Sequence, residues 1–164
     1  MSTQTWDVRS EEAFLACYRA TLGEVYRYAA MLCGRDRTSA EDLVQDVYLG
    51  ALTKARSGDL AELSTGYLIV ATRHRHLDRV RSLQRDQRRL QLVASTPTPD
   101  SVAEMLPPQL AGLPDRDRLA LVLRYVDDMS VAQVGREIGI STRAAESLLA
   151  RAARRLRLQE VRDA

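Results

Sequence analysis

Apolar side chains return every three or four residues through most of this 164-residue chain. That period specifies amphipathic helices and leaves no room for the two-residue alternation of a sheet. Phe14, Cys17, Tyr18, Leu22, Val25, Tyr26, Ala29 and Leu32 form a first stripe. Ser10 with Glu11 and Glu12 opens it, and Gly34 closes it. Leu43, Val44, Val47, Tyr48, Ala51, Leu52 and Ala55 form a second, and the Ser39/Asp42 pair predicts a capping box that starts that helix at Ser39. After a loop over Ala55–Ser64, a third helix is predicted to begin near Ser64 or Thr65. Tyr67, Val70, Ala71, His74 and Leu77 share one face, and Thr72, Arg75, His76 and Arg79 crowd another.

Prolines then interrupt the pattern. Thr96-Pro97-Thr98-Pro99 has the composition of a linker, and Pro107-Pro108 makes a second break, with a short helix expected between them. Beyond Pro114 the stripe Leu119, Val122, Leu123, Val126 marks another helix. Ser130 caps a short helix, Gly139 turns the chain, and Ser141 caps a last long helix with Ala145, Leu148, Leu149, Ala152 and Leu156 inward. The fold class expected is all-α, as two small helical domains joined by a flexible linker. Their bounds are 8–90 and 110–160, with the linker over 91–109.

Within Ser130–Arg157 the order of residues reads as a helix-turn-helix. Val134 and Ile138 face inward, Gly135 is small where the helices cross, Gly139 supplies a turn residue with positive φ, and Ile140 fills the corner. The free N–H groups after Ser141 favour phosphate, and such a helix enters a major groove by its N-terminal end. Thr142, Arg143, Glu146 and Ser147 are the exposed candidates, with Arg143 suited to guanine and Glu146 to cytosine N4. Arg151, Arg154 and Arg155 lie further along, better placed for phosphates. A helical hairpin with a solvated basic face is the alternative.

The net charge of +2 hides a segregated pattern. Arg73–Arg89 carries seven Arg against two Asp, and Arg143–Arg157 five Arg against one Glu, whereas Asp7–Glu62 has seven basic and ten acidic residues. Two basic stretches of this kind would feel a polyanion whatever the total. Arg73, Arg75, Arg79 and Arg81, interleaved with His74, His76 and Tyr67, suit phosphates and unpaired bases, or else form a solvated basic helix. Asp42, Gln45 and Asp46 around Leu49 fit a protein-docking face better than a metal site, with a plain solvated face as the other reading. Cys17 and Cys33 form no CxxC, and with only two His the sequence argues against zinc. No cofactor, metal or catalytic group is expected. There is no apolar run of membrane-spanning length and no secretory leader pattern, so neither membrane insertion nor export is expected, and the predicted location is cytoplasmic.

Three segments carry a resemblance. AEDLVQDVYLGAL (Ala40–Leu52) resembles the core-polymerase-binding helix of bacterial extracytoplasmic-function sigma factors, of the sigma-70 family. GYLIVATRHRHLDRVRS (Gly66–Ser82) is similar to the family's promoter-melting and minus-10 helix, and Leu113–Arg157 resembles its region 4. The resemblance implies a non-enzymatic alternative sigma factor, with 8–90 as region 2 and 110–160 as region 4. It would bind core RNA polymerase, recognise minus-10 and minus-35 promoter DNA and promote melting. By position it gives Asp42, Gln45, Asp46 and Leu49 to core polymerase. Arg56, Tyr67, Arg73, His74, Arg75 and Arg79 go to the minus-10 strand, with the loop Arg56–Ser64 helping to hold a flipped base. Ser141, Thr142, Arg143, Glu146, Ser147 and Arg151 go to the minus-35 element. It also implies an anti-sigma factor as a partner. The chain departs from the family at Tyr67, His74, Glu146 and Leu148, where Trp, Asn, and Lys or Arg are usual. A stand-alone helix-turn-helix regulator and a degenerate sigma-like decoy of polymerase are the rival readings.

Overall fold

A computed structural model of the chain describes residues 4–34, 36–89 and 108–162, and these divide into two compact units. The first holds residues up to Ala29 and from Thr38 onward; the second holds Ala30–Arg37 and the C-terminal part. The linker and the short helix expected before Pro107 lie outside the described residues.

In chain order, strand β1 (Thr5–Asp7) precedes helices α1 (Glu11–Cys33), whose last turn from Ala30 belongs to the second unit, and α2 (Arg37–Ser57); strand β2 (Glu62–Ser64) leads into α3 (Thr65–Arg89). Ser10 caps α1 by accepting from the Ala13 N–H at 3.2 Å, as its sequence predicts. Phe14, Cys17, Val25 and Ala29 of α1 are buried, as are Leu43, Val44, Val47, Tyr48 and Ala51 of α2. Tyr18 meets Tyr48 edge to face at 4.8 Å, and the Tyr48 hydroxyl bonds the buried Thr21 hydroxyl at 2.7 Å. Thr21 in turn donates to the Cys17 carbonyl, so the polar atoms of this aromatic contact are satisfied. Burial pushes the Tyr48 phenol up to about 12, and burial likewise raises the Cys17 thiol.

Several expectations are corrected here. Helix α2 starts at Arg37, so Ser39 sits inside its first turn rather than before it, and α2 continues through the expected loop as far as Ser57. Two strands exist where none was expected. They pair antiparallel as Thr5↔Ser64, Trp6↔Leu63 and Asp7↔Glu62, and at three residues each they are too short to print an alternating pattern. Helix α3 turns a different face inward. Leu68, Ile69, Thr72 and Leu77 are buried, while Tyr67, Val70 and His74 are exposed. Thr72 is tolerated inside because its hydroxyl donates to the Leu68 carbonyl at 2.7 Å.

The second unit contains α4 (Pro108–Ala111), α5 (Asp115–Leu121), a π turn (Val122–Val126), α6 (Val131–Ile138) and α7 (Thr142–Arg162). Pro108, expected to break the chain, instead opens α4, where its missing N–H costs nothing. Leu119, Val122 and Leu123 are buried, but Val126 is half exposed. The Asp127 N–H bonds the Val122 carbonyl five residues back, and this wider turn carries Val126 off the stripe. Val134, Ala145, Leu148, Leu149 and Ala152 complete the core. Arg118, only 3% exposed, donates to the Leu32 and Leu113 carbonyls and to Asp115. Gly34, at φ +67°, leaves the space that this guanidinium occupies.

Candidate functional site

Three exposed surfaces bring the sequence-derived candidates together. On α2, burial of Leu43, Val44 and Val47 turns the opposite stripe outward. Asp42 and Gln45 are exposed, Asp46 is partly exposed, and Leu49 is 61% exposed despite being apolar. An exposed leucine ringed by acids and an amide is a surface suited to a protein partner with an apolar and basic contact.

On α3, His74 and Arg75 are exposed, and Arg73 and Arg79 are partly so. Tyr67 lies at the start of this face, with its N–H held by the Ser64 hydroxyl at 3.2 Å. Lys54 of α2 reaches the Tyr67 hydroxyl at 3.3 Å and lies 6.0 Å from its ring centre. Arg75 runs over Gly50 of α2, which has no side chain to obstruct it. Arg79 donates to Asp46 at 2.6 Å. The sequence assigns these two residues to different surfaces, and the structure joins them. Asp78, one turn from His74, is paired with Arg81 at 3.6 Å. Arg56 is exposed and lines a shallow depression with Val8, Phe14 and Leu52, at the other end of α2 from Asp42.

The third surface is the helix-turn-helix. Ser130 and Gln133 form a reciprocal capping box on α6, with the Ser130 N–H donating to the Gln133 side chain at 2.7 Å. Gly139 adopts φ +76°, ψ 40°, the left-handed conformation its position requires. Ile140 N–H then closes on the Gly135 carbonyl at 2.8 Å. A β-carbon on Gly135 would stand 3.0 Å from the Ile140 carbonyl, so the small residue sets the approach of the two helices. Ser141 caps α7 by accepting from Ala144 N–H at 3.2 Å. With Ala145, Leu148 and Leu149 inward, Ser141, Thr142, Arg143, Glu146 and Ser147 are all exposed on one end of α7. Ser147 donates its hydroxyl to the Arg143 carbonyl at 3.1 Å.

Arg151 and Arg155 are differently employed. Both grip Asp117 of α5, which is 1% exposed, Arg151 at 3.0 Å. Sequence reasoning passed over Asp117. The signal that could have found it is the four-residue spacing of Arg151 and Arg155 on the edge of an apolar stripe. Lys54 was missed too, because its role depends on a residue thirteen positions away.

Comparison with known proteins follows the same division. Residues 17–86 match the family model of Sigma-70 region 2, and residues 104–156 that of Sigma-70, region 4. RNA polymerase sigma factor SigF of Mycobacterium tuberculosis is 45% identical over 56 residues, which is 34% of this chain and 22% of the relative's length. Among solved structures, the sigma factor RpoE in complex with the anti-sigma factor NepR, from Bartonella quintana, is similar in fold. That likeness has a TM-score of 0.50 and 21% identity over 87% of this chain and 93% of that one. With regions 2 and 4 both matched, in chain order and over separate segments, this chain belongs to the sigma-70 family, in its extracytoplasmic-function group.

Proposed function

We propose that this chain is an RNA polymerase sigma factor that works by two linked grips. Residues 8–90 bind core polymerase through Asp42, Gln45, Asp46 and Leu49. They take the minus-10 strand with Arg56, Tyr67, Arg73, His74, Arg75 and Arg79. Residues 110–160 read the minus-35 element with Ser141, Thr142, Arg143, Glu146 and Ser147, and Arg151 contributes charge beside the groove. The observation that carries the reading is the end of α7, where every candidate base-reading side chain is exposed while the other face is packed. The exposed Tyr67, beside the basic residues of α3, supports capture of an unpaired base and so a part in melting.

Neither grip has to be strong. Because residues 91–109 join the two binding parts, the second contact is intramolecular once the first forms, and avidity replaces affinity. Such a protein acts in the cytoplasm, carries no catalytic group, and binds DNA poorly by itself with a steep salt dependence in the complex. RpoE was solved with an anti-sigma factor, which supports a protein partner of that kind here.

The test is run-off transcription on fragmented DNA of the source genome, with core polymerase alone and with this chain added. New transcripts from defined starts are expected. Asp42→Lys and Leu49→Asp should each abolish them and core binding while leaving helicity native. Asp46 is a poorer choice for this purpose, since a lysine there would face Arg79 and disturb both surfaces. Core binding without initiation would favour the decoy. No core binding at all would make the chain a stand-alone helix-turn-helix regulator.

A further inference from the structure

The segment before α1 has no part in the reading above, yet it is tied to the loop between α2 and α3. β1 pairs with β2 over three residues, and the ladder is extended by Val8, whose N–H donates to the Ala61 carbonyl at 2.9 Å. Val8 is 2% exposed, so the strand is anchored by a buried side chain as well as by backbone. Arg9 folds back on Asp7, with its Nε at 3.0 Å and its backbone N–H at 3.1 Å from the same carboxylate oxygen, and this turns the chain from β1 into α1.

The loop is held from two sides. At its start, Asp59 and Leu60 N–H groups both donate to the Lys54 carbonyl, at 2.9 and 3.1 Å. Gly58 makes that turn with φ +82°. At its end, β1 supplies the partner strand for Glu62–Ser64. Ser64 then caps α3 through the Tyr67 N–H, so the pairing continues directly into the residue whose ring is exposed. Between these fixed ends Ser57, Gly58, Asp59, Ala61 and Glu62 face solvent. Apart from β1, the 61–64 backbone is held by the buried Leu63 side chain, 1% exposed, and by the cap at Ser64, so β1 supplies its inter-strand hydrogen bonds. Two three-residue strands are too few to hold themselves together, which is why the buried Val8 matters.

We propose that Thr5–Val8 is a positioning strand that sets how the loop 57–64 and Tyr67 are presented to an unpaired base, and so sharpens base preference at one minus-10 position. This rests on assigning the loop to the minus-10 element. Val8 touches no DNA in this scheme; it acts through Ala61, while Thr5 at the other end of the strand pairs with Ser64.

The experiment compares wild type, Val8→Pro, which removes the donor to Ala61, and Val8→Ile, which keeps both donor and apolar bulk. Each full-length chain is assembled with core polymerase and assayed on promoters randomised through the minus-10 and minus-35 elements. Amide exchange of residues 60–64 is followed in the free protein. Val8→Pro should speed exchange in that segment and lower preference at one minus-10 position by about three- to tenfold, the range one backbone hydrogen bond supports. Core affinity and minus-35 preference should stay unchanged, and Val8→Ile should behave as wild type. Faster exchange with every preference intact overturns the proposal, as does unchanged exchange. A uniform loss at all positions overturns it too, since that is what general destabilisation gives. Asp59→Ala and Leu60→Ala test the loop assignment separately. If neither alters any minus-10 preference, it is the assignment of the loop that fails, and the strand's role falls with it.

Discussion

Asp117 offers a test in which stability and DNA affinity should move in opposite directions. Its carboxylate is 1% exposed and receives Arg151 and Arg155 of α7, whose side chains keep 54% and 47% of their exposure. Hydrogen bonds to charged groups are worth about 1.5–3 kcal/mol each, which would suggest a loss of about 3–6 kcal/mol on removing the acceptor. Two effects reduce that. A buried carboxylate carries a desolvation cost that disappears with it, and both arginines can rehydrate, so no buried charge is left stranded. Asp117→Asn keeps the volume and one acceptor oxygen, and the expected loss is about 1–2 kcal/mol. Asp117→Ala also leaves a void, and about 2–3 kcal/mol is expected.

The electrostatic consequence has the other sign. The cluster holds two guanidiniums against one carboxylate, so it presents one net positive charge to a polyanion. Asparagine makes that two. The slope of log K against log salt for a non-promoter duplex should therefore steepen by about 0.9, the counterion release of one further phosphate. Stability is best read as amide exchange in α5 and α7, because a chain of two units need not melt in one transition. Affinity is read by anisotropy at several salt concentrations. Protection unchanged in Asp117→Asn would refute the stabilising cluster. Lost protection with an unaltered salt slope would refute the placing of Arg151 and Arg155 beside DNA.

Four further outcomes are expected. The folded state holds the Tyr48 proton more tightly than the unfolded one, so stability is full below about pH 10 and falls between about 10 and 12. Tyr48→Phe should flatten that alkaline limb in unfolding titrations and, by losing the bond to Thr21, cost about 1 kcal/mol at neutral pH. Gly139→Ala should destabilise α6 and α7 by about 1 kcal/mol through its left-handed φ alone, since a β-carbon there meets nothing within 4 Å; Gly139→Asn should cost less in the same exchange measurement. Arg143→Ala should relax discrimination at one minus-35 base by about 1–3 kcal/mol, whereas equal losses on all promoter variants would mark a phosphate contact instead. Asp46→Asn should raise affinity for single-stranded minus-10 DNA by up to about fivefold, the worth of a partly exposed ion pair, and no change would mean that Arg79 does not meet the strand.

Much of the fold was legible because its helices are amphipathic and their ends carry ordinary chemistry. Ser10, Ser130, Gly139 and Ser141 each do what their residue type and position predict. The misreadings have particular causes. α3 offers two apolar faces at helical spacing, and only the neighbouring chain decides that Leu68 and Thr72, not Tyr67 and Val70, turn inward. Its buried threonine satisfies its hydroxyl locally, which residue type cannot announce. The π turn advances the chain by more than 3.6 residues, so a period-based stripe overran at Val126. β1 and β2 depend on each other across more than fifty residues. For the candidate surfaces, exposure was legible and pairing was not. Helical spacing says that Asp42 and Leu49 share a face, but nothing in it says that Asp117 will claim two arginines from α7.

The Asp46–Arg79 pair bears on how the first unit would work. Its side chains are 45% and 35% exposed, so solvent already competes and the bond is worth at most about 1 kcal/mol. A contact that weak does little for the fold, but it is enough to bias two binding events. In the proposed function Asp46 faces a protein partner and Arg79 faces a nucleic-acid strand. While they are bonded, each partner must first displace the other residue. A basic group on polymerase that takes Asp46 releases Arg79 for a phosphate, and a phosphate that takes Arg79 releases Asp46 for polymerase. The two affinities are then coupled, and the coupling must be equal in both directions. Its size cannot exceed the pair's own strength, roughly fivefold at 1 kcal/mol. In the proposed function, one ion pair between α2 and α3 would thus make the free protein a slightly worse ligand for both partners than either surface alone, and would make binding of the first favour the second.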